Sequence, residues 1–287
     1  MNKIYMNLCD HIELYKLSDK ILCSDIEAYD EHKEFNFVYD KLWVSNSQNI
    51  PCGPMGIYPT QYPVIFKPII NLYGFSKGFR IIYNKNQYKQ YQADGHFWQP
   101  YFKGKHICCD IILDYGNIVF SSALRSYAGK YGSFKLHHTT DYIITPKIKK
   151  WVKTYLSEYR GCINLEIIDN NIIECHLRLN GDFNLYNQYF SRQLSEFMEK
   201  KTNKITYEIP FIYIFPVFVD SSHVSNITHK NKILKLLNKS KSIVKSFGFD
   251  DYNPIFDTTL VRFLLFDTYH FYEGLKLQTI IKSILLV

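Results

Sequence analysis

The chain has 287 residues, 46% of them hydrophobic and 21% charged, so it is no disordered polyelectrolyte and can bury a real core as one large domain or two smaller ones. Its formal net charge is +7, but the basic residues are spread along the chain. The densest run, Lys147-Ile-Lys-Lys150, reads as a solvated helix face rather than a nucleic-acid patch.

Residues 1 to about 50 alternate short apolar and acidic pieces without a repeat. Ile50-Pro-Cys-Gly-Pro54 and Tyr58-Pro-Thr-Gln-Tyr-Pro63 are turn-rich. A strand is predicted over Val64-Ile-Phe-Lys-Pro68, ending at Pro68, which cannot donate to a ladder. Asn71 to Gly78 is a loop with two glycines, Phe79 to Tyr83 the next strand, and Asn84 to Asp94 carries a short helix. Phe97 to Phe102 reads as extended, and His106 to Arg125 as a hairpin turning at Asp114 to Asn117. Small and polar residues predict a mobile loop over Ser126 to Thr140, with His137 and His138 exposed in it. Pro146 opens a helix to about Tyr159. Further on, Leu185 to Lys200 reads as helix and Ile205 to Val219 as strands. Asn231 to Ser246 reads as an amphipathic helix, Thr258 to Phe266 as a strand and Gly274 to Val287 as a closing helix.

Between these lies the most informative segment, Ile163 to Gly181. Alternation puts Ile163, Leu165, Ile167, Ile173, Cys175, Leu177 and Leu179 on one face, and Asn164, Glu166, Glu174, His176 and Arg178 on the other. With Asp169-Asn170-Asn171 as the loop, Glu166 faces Glu174 across the ladder. Opposed carboxylates repel, and a divalent cation is the common remedy. A solvated polar face with Arg178 as counter-ion is the alternative.

Seven cysteines, an odd number with no Cys-x-x-Cys pair, argue against a disulfide framework or a zinc knuckle and for the reduced thiols of a cytosol. The longest apolar run, Ile209 to Val219, holds two prolines and is too short to span a bilayer, and the start does not resemble a signal peptide. A cytoplasmic protein is therefore expected. The surplus of Asn, Lys, Ile and Tyr over Ala and Gly resembles proteins of AT-rich genomes, including those of phages and large viruses.

Several segments, in order, resemble the ATP-grasp family of ligases. Asp40-Lys41-Leu42 and Asn49-Ile-Pro-Cys-Gly-Pro54 are similar to its lysine-bearing helix and the turn after it. Tyr62-Pro-Val-Ile-Phe-Lys-Pro68 is similar to its lysine-bearing strand, and Asn71 to Arg80 to its phosphate-covering loop. Gln99-Pro-Tyr-Phe-Lys-Gly104 with Cys109-Asp110 resembles its adenine-side hinge and following strand. Leu165-Glu166 and Ile173-Glu174-Cys-His-Leu-Arg178 resemble its paired metal-ligand strands. The likeness spans about residues 38 to 182. It implies an α+β ATP-grasp fold, two α+β subdomains clasping a nucleotide, with a C-terminal α/β extension. The expected division is a short N-terminal region (1–50), a small subdomain (51–105), a central subdomain with the metal-binding hairpin (106–185) and the extension (186–287).

The resemblance also implies roles. Lys41 and Lys67 contact the phosphates of ATP. Gly74, Ser76, Lys77, Gly78 and Arg80 belong to the phosphate-covering loop, and Gln99, Pro100, Tyr101 and Phe102 to the adenine side. Glu166 and Glu174 bind Mg2+, or Mn2+ in its place, with His176 as the third metal position, where the family usually has Asn. Arg178, with Arg125 as a secondary candidate, steadies the transferred phosphate or the carboxylate substrate. The implied activity joins a small-molecule or peptide carboxylate to an amine or similar nucleophile through an acylphosphate, without nucleic acid or membrane; a homodimer is open. The alternatives are a nucleotide-binding protein that does not turn ATP over, for which His176 is the main argument, and a nucleic-acid-associated accessory protein.

Overall fold

A computed structural model describes residues 21–22, 24–73, 78–91, 93–129, 133–180, 188–220, 227–240, 244–249 and 260–285. After helix α1 (Asp25–Glu31), a 3-10 helix (Lys33–Tyr39) and α2 (Lys41–Asn46), the chain enters a small antiparallel sheet. Its strands are β1 (Gly53–Pro54), β2 (Val64–Pro68), β3 (Arg80–Ile82) and β4 (His96–Pro100), in the order β1-β4-β2-β3, with helix α3 (Lys85–Gln90) between β3 and β4. Alternation splits the small sheet. Val64, Phe66, Ile82 and Trp98 pack with Tyr88 of α3 into an apolar cluster, which leaves Lys67 and Gln99 on the opposite face.

The remaining strands form one eight-stranded antiparallel sheet. They are β5 (His106–Asp114), β6 (Asn117–Ala128), β7 (Phe134–Thr139), β8 (Gly161–Ile168), β9 (Asn171–His176), β10 (Tyr213–Asp220), β11 (Val244–Phe249) and β12 (Leu260–Thr268), ordered β11-β12-β10-β7-β6-β5-β8-β9. Helix α4 (Pro146–Tyr155), α2 and the 3-10 helix cover one face over Ile107, Cys109, Ile111, Ile163, Leu165 and Ile167. Helix α5 (Gln188–Met198) packs Phe190, Leu194 and Phe197 against Cys108, Ile112, Leu124 and Cys162 on the other. Helices α6 (Ile227–Lys239) and α7 (Phe271–Leu285) close a third cluster over β10 and β12. Residues after 186 thus lengthen the central sheet.

Two junctions follow from local chemistry. Strand β9 is an edge of the large sheet, and a bare edge leaves backbone groups unpaired. The Gln48 side chain beyond α2 covers it: Ile172 N donates to Gln48 Oε1 at 2.8 Å, and Gln48 Nε2 donates to Ile172 O at 2.8 Å. At the other junction, β10 pairs with β7 only at Tyr213↔His138 and Ile214↔His137. Two residues on stands Pro216, which has no N–H to continue the ladder. The buried Gln278 amide of α7 supplies the donor instead, bonding Pro216 O at 2.7 Å and Lys135 O at 2.9 Å.

Several expectations change. The segment read as a mobile loop runs through β6 to Ala128 and includes β7. His137 is buried there, with Nδ1 2.7 Å from Ser126 Oγ. The small and polar residues misled because they face their neighbours inside the sheet. Helix α6 stops at Lys239 and Val244 begins β11, where a helix to Ser246 was expected. Among the described residues no helix is long and apolar enough to cross a membrane, and Cys52, Cys108, Cys109, Cys162 and Cys175 carry no disulfide.

Candidate active site

The β8–β9 hairpin turns on two residues, Asp169 and Asn170, at φ 51° and 62°. This left-handed pair suits a two-residue hairpin and is tolerated by Asp and Asn. A plain two-residue turn would set Glu166 opposite Ile173 and send Glu174 to the core face. Instead the register shifts between Glu166 and Ile167: Ile167 pairs with Ile172, Ile173 bulges, and Glu166 faces Glu174. The three-residue loop expected here is therefore a two-residue turn plus a bulge. Ile172, rather than Ile173, joins the core beside Ile167.

The bulge also turns the Ile173 carbonyl toward Lys67, whose Nζ donates to it at 2.9 Å. Lys67 Nζ is 3.6 Å and Lys41 Nζ 3.0 Å from Glu174 Oε1. Asp40 sets the position of Lys41 by accepting Trp43 N at 2.8 Å as the N-cap of α2. Burial pulls the Lys67 ammonium down to about 8, against the opposing pull of Glu174. Burial also works against an ionised Glu174, but Lys41, Lys67 and His176 outweigh it and hold the carboxyl well below the usual range. Glu166 is disfavoured as an anion by burial and by Glu174, yet His106 Nε2, 2.9 Å from its Oε2, keeps it below the usual range too. The hairpin thus presents two ionised carboxylates side by side.

Asp25, at the start of α1, organises the next layer. Its Oδ1 is 2.9 Å from His176 Nδ1, and Arg178 grips both carboxylate oxygens, Nε to Oδ1 at 2.9 Å and Nη2 to Oδ2 at 2.7 Å. Burial raises the Asp25 carboxyl, but Arg178 and then His176 hold it far below the carboxylate range. Burial lowers the His176 imidazole, yet Asp25 and the hydrogen bonds around it lift it to about 9. Its other nitrogen, Nε2, is buried and makes an ion pair with Glu174 Oε2 at 3.6 Å, just beyond hydrogen-bond length. The ligand atoms of Glu166, Glu174 and His176 lie within 4.8 Å of one another, and so do those of His106, Cys108 and Glu166.

Other sequence candidates stand elsewhere. Arg80 shares the face of Phe66, away from Lys67, and stacks on Tyr91 with its guanidinium carbon 4.6 Å from the ring centre. Arg125 pairs with Ile107 on the face opposite Glu166 and packs over Tyr127. The Gln99 side chain accepts Ser45 Oγ at 2.7 Å, Pro100 pairs with Val64, and Tyr101 N donates to Pro63 O at 3.2 Å. Phe102 lies in the connection between the two sheets. Gly78 takes φ 75°, where a side chain would meet His96. Gly74, Ser76 and Lys77 lie outside the described residues. Sequence reasoning missed Asp25 and His106. Asp25 left no signal, because 151 residues separate it from His176.

No protein-family model and no curated protein sequence matches the chain. Solved structures do. A carboxyaminoimidazole ribonucleotide synthase from Aspergillus clavatus, complexed with ATP, superposes with a TM-score of 0.60 at 8% identity, over 87% of this chain and 73% of that one. The N5-carboxyaminoimidazole synthetase of Staphylococcus aureus, complexed with ADP, gives 0.57 at 12% identity, over 87% and 72%. The L-amino acid ligase of Bacillus licheniformis gives 0.54 at 10% identity, over 85% and 69%. The chain has the ATP-grasp fold. Lys41, Lys67 and the β8–β9 hairpin meet between the small sheet and the eight-stranded sheet.

Proposed function

We propose that the protein is an ATP-dependent ligase joining a carboxylate to an amine or similar nucleophile through an acylphosphate. The observation that carries this reading is the convergence of Lys41 and Lys67, from α2 and the small sheet, on Glu174 of the large-sheet hairpin, beside Glu166. Two buried ammonium groups facing two ionised carboxylates suit a polyphosphate and its divalent cation. The solved neighbours with ATP or ADP bound support ATP as the nucleotide, and their names support carboxylate–amine ligation.

Glu166 and Glu174 fit a divalent cation, which when bound would neutralise charge on the phosphates. Lys41 and Lys67 would exchange their contact with Glu174 for phosphate oxygens, stabilising the charge that develops as the phosphoryl group moves to the acid. Arg178 positions Asp25 and His176 in this reading, because both Asp25 oxygens are already bonded to its guanidinium.

That engagement of Arg178 favours one second reading, a nucleotide-binding protein without ligase turnover. Both readings predict that ATP with a divalent cation raises the melting temperature, by about 2.7 kcal/mol of stability at 100 times the dissociation constant. The rise should vanish in the Glu166→Ala, Glu174→Ala double variant and fall in Lys67→Ala. No shift with any nucleotide and metal would remove both. Release of ADP and phosphate only in the presence of an acid and an amine decides for the ligase.

A further inference from the structure

On the face of the large sheet away from the carboxylates, a strip lies between two helices. Helix α4 packs over β5 and β8 on one side of it, and α7 over β10 and β12 on the other. Between them Arg125 of β6, His138 of β7 and Tyr213 of β10 stand in register on neighbouring strands, all three partly exposed. Tyr127 and Phe211 extend the row into a continuous set of rings. His138 lies 5.6 Å from Tyr127 and 5.9 Å from Phe211 between ring centres, and Phe211 lies 5.2 Å from Tyr213. Phe271 and Tyr272 of α7 continue it, at 5.5 Å from Tyr213 and 5.3 Å from each other. Phe211 is 56% and Tyr272 82% exposed. The inner rings are held in place. The Arg125 guanidinium carbon lies 4.8 Å from the Tyr127 ring centre, the Tyr127 hydroxyl donates to His138 Nε2 at 3.1 Å, and His138 Nδ1 donates to Thr139 O at 2.7 Å. That pattern makes the imidazole a neutral, flat ring. Fixed rings lose little freedom when a partner stacks on them.

The border of the strip is basic. Lys147, Lys149, Lys150 and Lys153 of α4 are all exposed, and the helix carries no acid. Against them stand Asp141, between β7 and α4, and Glu273 in the first turn of α7. Alone, the lysine run is a solvated helix face, and alone the rings are a small aromatic cluster. The fold sets both on one face. Flat rings suit unpaired bases, and a row of ammonium groups suits the phosphates that link them. A duplex keeps its bases stacked inside and gives the rings nothing to meet. We infer that the strip between α4 and α7 binds single-stranded nucleic acid, with bases on His138, Phe211 and Tyr213 and phosphates on the lysines of α4. From β5 to β10 is three strand spacings, about 14 Å, room for about two or three bases. The inference does not rest on the ligase reading, and it departs from the absence of nucleic acid that the family resemblance implies.

The test uses the full chain, with fluorescein-labelled oligo(U) and oligo(dT) of about 12 nucleotides as probes and fluorescence anisotropy as the readout. We expect binding of at least one probe at low salt. With about four phosphates neutralised, the affinity should fall roughly 50-fold between about 50 and 200 mM salt. Phe211→Ala should weaken binding roughly tenfold and leave the salt slope unchanged. The Lys149→Ala, Lys150→Ala double variant should weaken it and flatten the slope by about 1.4. These side chains are exposed, so the variants keep the fold, and Tyr272→Ala reads the other end of the row. No binding of either probe, binding unaffected by Phe211→Ala and Tyr272→Ala, or equal binding of the matched duplex would overturn the proposal. Displacement of the probe by ATP with a divalent cation would put it in the carboxylate site and overturn it too. Self-association in sedimentation that Phe211→Ala abolishes, without oligonucleotide binding, would assign the strip to a second copy of this chain and likewise overturn it.

Discussion

Lys67 and Asp25 mark the two extremes of what single residues disclose. A lone lysine within Val-Ile-Phe-Lys-Pro is conspicuous in a sequence because every neighbour is apolar, and the molecule buries it to 5% exposure on Glu174. Asp25 looks like one more acid in an acidic stretch, and only folding brings it to His176. His137 is a third case, read from its sequence as an exposed loop residue and found buried. Burial first, then His106 and Arg262, depress its imidazole to about 3. The folded state therefore keeps it neutral where the unfolded chain takes up a proton. Its contribution is whole above about pH 6.5 and is lost as the pH falls toward 3, at about 1.4 kcal/mol per pH unit. Melting temperatures of the wild type and His137→Gln should therefore converge between pH 6.5 and 4. A gap independent of pH would refute the assignment.

At the scale of elements, the hairpin was legible because period-two alternation and an Asp-Asn-Asn turn leave few alternatives. Its bulge was not, since a bulge and a longer loop predict the same Glu166–Glu174 pairing and differ only in where Ile172 and Ile173 point. Helix α7 shows another packing detail without a sequence signature. Gly274 sits against the Phe215 ring of β10, which stacks on Phe266 at 5.4 Å, and a methyl group there would fall within the ring. Gly274→Ala gains helix propensity on the order of 1 kcal/mol but must displace Phe215. Overpacking of this kind costs about 1–3 kcal/mol, so the variant should be less stable in urea, with the midpoint lowered. An unchanged or higher midpoint would mean that the ring has room to move.

For the whole molecule, the ordered motifs from residue 38 to 182 made the ATP-grasp fold legible, while the role of the remainder was hidden because strand order is a long-range property. Nothing local says that β10, β11 and β12 join the sheet holding the hairpin. The join itself is narrow: nine residue pairs bind β5 to β6, whereas two bind β7 to β10 before Pro216 interrupts and Gln278 takes over. Gln278→Leu would strand the buried Pro216 carbonyl and take the donor from the part-buried Lys135 carbonyl, a loss of about 1–3 kcal/mol. By amide hydrogen exchange, β10 and β12 should then lose protection roughly tenfold or more while β5 and β8 keep theirs; uniform loss would mean a single cooperative unit. Such a seam would let the outer strands β10 to β12 open and reclose without dismantling the carboxylate hairpin four strands away.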